Sequence, residues 1–216
     1  MTGSNFTNTA GMPEPEHYTT ARDAAILSSA LIHEFPEYYR WYAQREFSWN
    51  GITQQNRNGL LWRDPSVDGV KTGHTESAGY CLVASAKRDG MRLVSAVLGT
   101  ESMRAREDAN AALLNYGFNF FETKRLYAAG EPLTTAPVWK GATRTVGLAL
   151  RRDLYVTGQR GQVGNVRAEF ELPDQLVAPL TTDQPIGKAS IVVDGATIAT
   201  HDLYPSEAVP AGGFFR

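Results

Sequence analysis

Cysteine is almost missing from this 216-residue chain: there is one, Cys81, so no disulfide can close within it. Histidine is scarce as well. The four present (His17, His33, His74, His201) make neither an H-E-x-x-H helix nor any Cys/His pairing at zinc-ligand spacing, so no metal site is expected. Nor is there an excess of one charge. The 21 basic and 23 acidic side chains leave a net charge of -2, without the cationic field that nucleic acid or an anionic membrane surface requires. No run approaches the roughly 20 apolar residues that span a bilayer. The opening Met1-Thr2-Gly3-Ser4-Asn5 has neither the basic nor the apolar region of a secretory leader. As written, the chain is expected to stay in the cytosol, with no nucleic-acid partner and no membrane anchor.

What is there is globular material, 42% hydrophobic and 20% charged, which excludes disorder, collagen and coiled coil. The length suits one large domain or two modest ones. Residues 1–18 are polar and carry Pro13 and Pro15, which predicts a loose lead-in with order beginning near Thr20. Thr20 with Asp23 three residues on, Ala24, Leu27 and Leu31 on one face beside Ile26 and Ala30, and Pro36 as a stop predict a helix over 21–34. A short helical piece follows over 37–43. Asn56-Arg57-Asn58-Gly59 signals a loop before Leu60-Leu61-Trp62, and Val70 to Thr72 enters a strand.

Tyr80, Leu82, Ala84 and Ala86 alternate with Cys81, Val83, Ser85 and Lys87, then Asp89-Gly90 turns the chain into Met91–Leu98. This predicts an antiparallel hairpin. Its strands are apolar on both faces, so they should be central and covered on each side. One cover is a helix over 103–122 bearing Ala109, Leu113, Tyr116, Gly117, Phe120 and Phe121 at helical spacing. Cys81, with nothing cationic adjoining it, reads as a small core hydrophobe. Trp41, Trp49, Trp62 and Trp139 read as packing residues rather than a stacking platform. Beyond Glu122 the texture changes to short alternating strands: Val146 to Val156, Val166 to Leu172, and Ile191-Val192-Val193 turning at Asp194-Gly195 into Ala196-Thr197-Ile198. Residues 126–216 therefore read as a small all-β sandwich, and the domain boundary as 1–122 against 123–216.

The sharpest local signal is Lys71-Thr72-Gly73-His74-Thr75, just ahead of the hairpin. Taken alone, Lys-Thr-Gly is either an exposed strand start without chemistry or one wall of an acyl-transfer site. In the second case each residue type has a use. Lys71 sets a positive charge near a carboxylate or helps a serine lose its proton, Thr72 donates a hydroxyl, and Gly73 lets a peptide lie against the strand edge as an added strand.

Asn56-Arg57-Asn58-Gly59-Leu60-Leu61-Trp62, then Val67-Asp68-Gly69-Val70-Lys71-Thr72-Gly73-His74-Thr75, Ala78-Gly79-Tyr80 and Leu82-Val83-Ala84-Ser85-Ala86 closely resemble the D-alanyl-D-alanine carboxypeptidases, the low-molecular-mass penicillin-binding proteins. The resemblance continues through Met91-Arg92-Leu93, Arg106-Glu107, Tyr116-Gly117-Phe118 and Phe120-Phe121-Glu122 to Gly213-Phe214-Phe215. It implies an α+β fold: part of a penicillin-binding/β-lactamase-like (serine transpeptidase-like) domain with an antiparallel sheet and a packed helix, then a β-sandwich. It implies, too, that a Ser-x-x-Lys serine attacks the carbonyl between two terminal D-alanines of a peptidoglycan stem peptide, with the acyl-enzyme then hydrolysed. Such enzymes bind β-lactams and use no cofactor. By motif position, Lys71 and Thr72 would engage the terminal carboxylate, and the His74 backbone N–H would be one oxyanion-hole donor. Arg57 and Arg106 match arginines near that family's cleft, as structural hydrogen bonders or as carboxylate contacts. Asp68 and Glu76, flanking the motif, read as solvated loop acids.

The chain departs from the family at the decisive residue. No Ser or Thr is followed three residues later by Lys: Ser28 meets Leu31, Ser29 meets Ile32, Ser85 meets Arg88, Thr135 meets Val138. Ser48-Trp49-Asn50 imitates the family's second motif, Ser-x-Asn, but stands too late in the order of motifs and reads as a decoy. The expectation is thus the latter part of such an enzyme, lacking its nucleophile and the C-terminal anchor helix, inactive alone, and prone to self-association through sheet surface left bare on the Tyr80–Leu98 hairpin. The family works at the periplasmic face of the inner membrane. Two other readings share the features: a serine β-lactamase relative, against which the β-sandwich tail and His74-Thr75 argue, and a non-catalytic scaffold whose cleft is vestigial.

Overall fold

The structure, a computed structural model, describes residues 1–163, 166–193 and 195–213. Asp194 of the expected Asp194-Gly195 turn, and Phe214 and Phe215 of the tail, lie outside the described residues. Two units form, Met1–Phe120 and Phe121–Arg216.

In the first unit, α1 (Ala21–Glu34) begins where the Thr20 hydroxyl accepts the Asp23 N–H at 3.1 Å, and it stops ahead of Pro36. After it come α2 (Pro36–Tyr39), a 3-10 turn (Arg40–Ala43), an exposed hairpin of β1 (Glu46–Trp49) and β2 (Ile52–Gln55), and α3 (Leu60–Arg63). Three antiparallel strands then build a sheet in the order β3 (Val67–Thr75), β4 (Gly79–Arg88), β5 (Met91–Thr100), followed by α4 (Met103–Phe120). Asp89 and Gly90 take positive φ angles of 48° and 82° between β4 and β5. The sign required at both central positions of a two-residue hairpin explains Asp-Gly there. Leu82, Ala84 and Ala86 of β4 are fully buried. Ile32, Tyr39, Val70, Val83 and Val94 pack on one face of the sheet. On the other face α4 is held by Asn110, which donates to Leu82 O at 3.1 Å and accepts from the Ser95 hydroxyl at 2.6 Å.

Both helices bury residues other than those their apolar spacing predicts. In α1 the buried residues are Asp23, Ser28 and Ile32, while Ile26 and Leu27 are exposed. In α4 they are Arg106, Asn110, Leu114 and Phe118, with Leu113, Tyr116 and Phe120 exposed and Phe121 already in the next strand. The physical reason is satisfaction of polar groups: a polar side chain can face inward when it meets unpaired backbone groups. Arg106 and Asn110 find strand carbonyls; Asp23 finds the Gly3 N–H at 2.8 Å and the Ser4 hydroxyl at 2.7 Å. Gly117 has no side chain because a Cβ there would run into Leu93. The Asp23 bonds also overturn the loose lead-in, since Asn5 and Tyr18 exchange backbone hydrogen bonds at 2.9 and 3.0 Å. Nor is the Tyr80–Leu98 hairpin bare: α1 and α4 pack on its strands, and among the described residues it is the outer edge of β5 that lacks a strand partner. The four tryptophans are corrected too. Trp41, Trp49, Trp62 and Trp139 are all exposed, for they sit on a cleft rim, a hairpin, a one-turn helix and a strand end rather than between layers.

In the second unit β6 (Phe121–Tyr127) is followed by β7 (Pro132–Trp139), β8 (Thr145–Ala149), β9 (Leu154–Gln159), β10 (Val166–Glu171), β11 (Leu176–Val177), β12 (Gly187–Val193) and β13 (Ala196–Pro205). β6 pairs with β9; the others form one sheet in the order β10-β12-β13-β8-β7-β11. Leu154 and Val156 of the small sheet share a core with Val146, Leu148, Ile191 and Leu203 of the large one. Two sheets closing on one apolar layer are the expected sandwich.

Asn110→Ala, which strands the Ser95 hydroxyl and Leu82 O in the core, is expected to cost about 3 kcal/mol, and Ser95→Ala about 1 kcal/mol, read from urea midpoints. Asp64 supplies a pH test. Burial opposes ionisation of its carboxyl, but the Ser66 hydroxyl and amide and the Arg88 guanidinium at 2.6 Å outweigh it and hold the carboxyl below its usual range. A carboxyl lowered in the folded state stabilises above its unfolded value of about 4, and that stability is lost as pH falls through the folded value. Asp64→Asn should therefore flatten the fall of the urea midpoint between about pH 5 and pH 2.

Candidate functional site

β3 pairs with β4 on one side and, among the described residues, with no strand on the other, which leaves its second edge open. Lys71, Gly73 and His74 are exposed on it, with Thr72 half-buried between them. Along this edge runs a cleft of about 1120 Å³. Lys71, Thr72, Gly73 and His74 line it together with Arg57 and Arg106, so the structure brings all six candidate residues to one place. Among the described residues, no Asp, Glu or Ser lines the cleft. Three cations without a carboxylate among them make a site for an anionic group.

The Lys71 ammonium donates to the carbonyl of Thr72 at 2.6 Å, which holds it along the strand. Only the Cys81 Cβ, at 3.8 Å, would touch a side chain at Gly73, so the surface above Gly73 is open to a ligand backbone. The His74 ring stacks on Tyr80 at 3.9 Å. Arg57 reaches the cleft as an exposed side chain of the Asn56–Gly59 loop. Arg106 is different: it is 2% exposed, and its guanidinium donates to Gly73 O at 3.1 Å, Cys81 O at 3.3 Å and Arg57 O at 3.2 Å. One side chain of α4 thus fastens β3, β4 and the loop, and shapes the cleft from behind.

Cys81 corrects the sequence reading. It is half-buried rather than core, lines the cleft, and accepts the Gly99 N–H on its sulfur at 3.4 Å. It faces the open ground over Gly73, where no layer exists to cover it. Ser48 lies in the β1–β2 hairpin outside the cleft lining, its hydroxyl 2.7 Å from that of Thr53.

Sequence reasoning missed the supports beneath the strand. Asn58 is buried and donates to Gly69 O at 3.0 Å, while Glu107 accepts the Gly59 N–H at 3.1 Å where a Cβ would collide with its carboxylate. Asp68 is no solvated acid: Arg92 pairs with it at 2.7 Å and the Tyr39 hydroxyl donates to it at 2.8 Å. Burial, reinforced by this carboxylate, pushes the Tyr39 hydroxyl well above its ordinary range. Glu76 is exposed, as expected. The Asn-x-Asn spacing ahead of Gly59 was the one visible signal for these supports; the Tyr39–Asp68–Arg92 contact joins three distant segments that no local pattern connects.

Two family profiles divide the chain between them: D-alanyl-D-alanine carboxypeptidase over residues 1–102, and penicillin-binding protein 5, C-terminal domain, over residues 121–211. The chain belongs to the D-alanyl-D-alanine carboxypeptidase family. It is 40% identical over 217 residues to the D-alanyl-D-alanine carboxypeptidase DacA of Escherichia coli K12, a match covering 100% of this chain and 54% of that protein. To DacC of the same organism it is 42% identical over 217 residues, again covering 100% of the chain and 54% of the relative. Penicillin-binding protein 5 from Haemophilus influenzae superposes with a TM-score of 0.80 at 40% identity, over 96% of this chain and 61% of that one. This member of the carboxypeptidase family thus spans about half the length of the curated relatives it matches.

Removing the Arg106 guanidinium leaves three carbonyls without their donor. Arg106→Ala is expected to cost about 3 kcal/mol and to speed amide hydrogen exchange in β3 from Thr72 to Thr75 more than in β5. Arg106→Lys, a point charge in place of a planar fork, should fall between wild type and Ala.

Proposed function

We propose that these residues form the Lys-Thr-Gly wall of a serine-type D-Ala-D-Ala carboxypeptidase, acting on peptidoglycan stem peptides and binding β-lactams in their place. One observation carries the reading: the free edge of β3 presents Lys71, Thr72, Gly73 and His74 to a cleft with three cations and no carboxylate. The stem peptide adds as a strand along that edge. Its terminal carboxylate lies at Thr72 and Lys71, with Arg57 adding positive charge, and the His74 N–H faces the carbonyl under attack. Arg106 acts as a positioning residue behind the strand.

The nucleophile comes from a segment outside these 216 residues, which contain no Ser-x-x-Lys. Its serine oxygen bonds to the carbonyl carbon between the two D-alanines, the C–N bond breaks, and the serine proton passes to the departing amine of D-alanine. Water then hydrolyses the ester. Loss of the serine from such a cooperative set costs on the order of 10⁶-fold in rate, so the present chain by itself turns nothing over. In this reading the complete enzyme works where peptidoglycan is built, outside the inner membrane; no helix among the described residues is long and apolar enough to cross one. In the isolated chain, copies associate through the unpaired outer edge of β5.

The test is covalent labelling with a fluorescent penicillin. A longer form carrying an upstream Ser-x-x-Lys should be labelled, and Lys71→Ala in that form should reduce labelling by orders of magnitude. The 216-residue chain should stay unlabelled; a penicilloyl adduct on any of its own serines contradicts the proposal.

A further inference from the structure

The second unit has a cleft of its own, about 500 Å³ at the end of β8, lined by Arg151, Arg152, Asp153, His201, Asp202 and Tyr204 among others. Nothing in the carboxypeptidase reading uses it. The Arg151 guanidinium carbon sits 4.0 Å from the centre of the Tyr204 ring and the side chain donates to Thr182 O at 3.1 Å, so its fork is held in place. Arg152, its neighbour, is exposed and has no hydrogen-bond or ion-pair partner among the described residues. The His201 Nε2 is buried without a partner, a polar atom whose burial is unfavourable until something bonds to it. Of the two acids present, Asp153 is already engaged: Arg125 lies at 3.4 Å, the Tyr155 hydroxyl at 3.1 Å and the Ala129 N–H at 2.9 Å. Asp202 is exposed at the mouth.

We propose that this cleft binds a phosphate group, with Arg151 and Arg152 taking its oxygens. A fixed, ring-backed guanidinium beside a free one offers the planar donors that phosphate geometry matches. Two carboxylates oppose binding: Asp202 in the lining and Asp183, which lies within electrostatic reach of Arg151. The phosphate is either free in solution or the headgroup of an anionic lipid, since both present the same oxygens.

The experiment is a titration of the 216-residue chain with sodium phosphate at neutral pH, with ionic strength held constant by sodium chloride, followed by amide resonances. Saturable shifts are expected in residues 150–154 and 201–204. Arg152→Ala, at an exposed position that folding does not need, should weaken binding about tenfold, the loss of one charge-assisted hydrogen bond. Asp202→Asn should tighten it. A parallel sedimentation with phosphatidylglycerol vesicles, against phosphatidylcholine as control, identifies the source. Binding to vesicles alone, still dependent on Arg152, assigns a lipid headgroup. Shifts that never saturate, together with vesicle binding that is absent or indifferent to Arg152→Ala, overturn the proposal. None of these readouts involves the Lys-Thr-Gly cleft, so the two proposals fail separately.

Discussion

The first unit is organised by one buried guanidinium. Arg106 reaches from α4 to the carbonyls of Gly73, Cys81 and Arg57, and those three residues belong to β3, to β4 and to the loop before α3. A buried cation is tolerated where hydrogen bonds engage it, and here its two terminal nitrogens find strand and loop carbonyls, while its Nε has no hydrogen-bond partner among the described residues. The free edge of β3 therefore has a fixed distance to the helix behind it. Asn110, one turn further along α4, repeats the device on Leu82 O, and Glu107 holds Gly59. The cleft is shaped from its back wall by a helix whose inner face is polar for half its length.

That polar face also explains what could be read from the sequence and what could not. The ends of α1 were legible because Thr20 and Pro36 act locally, as was the β4–β5 turn because Asp89-Gly90 fixes its own dihedral angles. Lys71 to His74 were legible as a motif, and the structure gathers them with Arg57 and Arg106 in one cleft. The inward faces of α1 and α4 were not, because apolar spacing assumes that oil faces inward. Here Asp23, Arg106 and Asn110 do, each satisfied by partners 20 or more residues away in at least one bond. The Tyr39–Asp68–Arg92 contact was beyond reach for the same reason.

The cleft that results has cations, a strand edge and open ground over Gly73, and no serine among its described lining residues. The strand edge is held by β4, by Arg106 of α4, by Asn58 and by the Tyr39–Asp68–Arg92 contact, all within the first unit. The β unit has a separate core and its own polar cleft, and neither depends on the first unit's residues.

The most direct measurement is a titration of the isotope-labelled chain with a peptide ending in D-Ala-D-Ala, following amide resonances while assaying free D-alanine. The account predicts saturable shifts centred on Lys71 to Thr75 and Arg57, with no D-alanine released. Shifts that avoid β3, or release of D-alanine by this polypeptide, would contradict it.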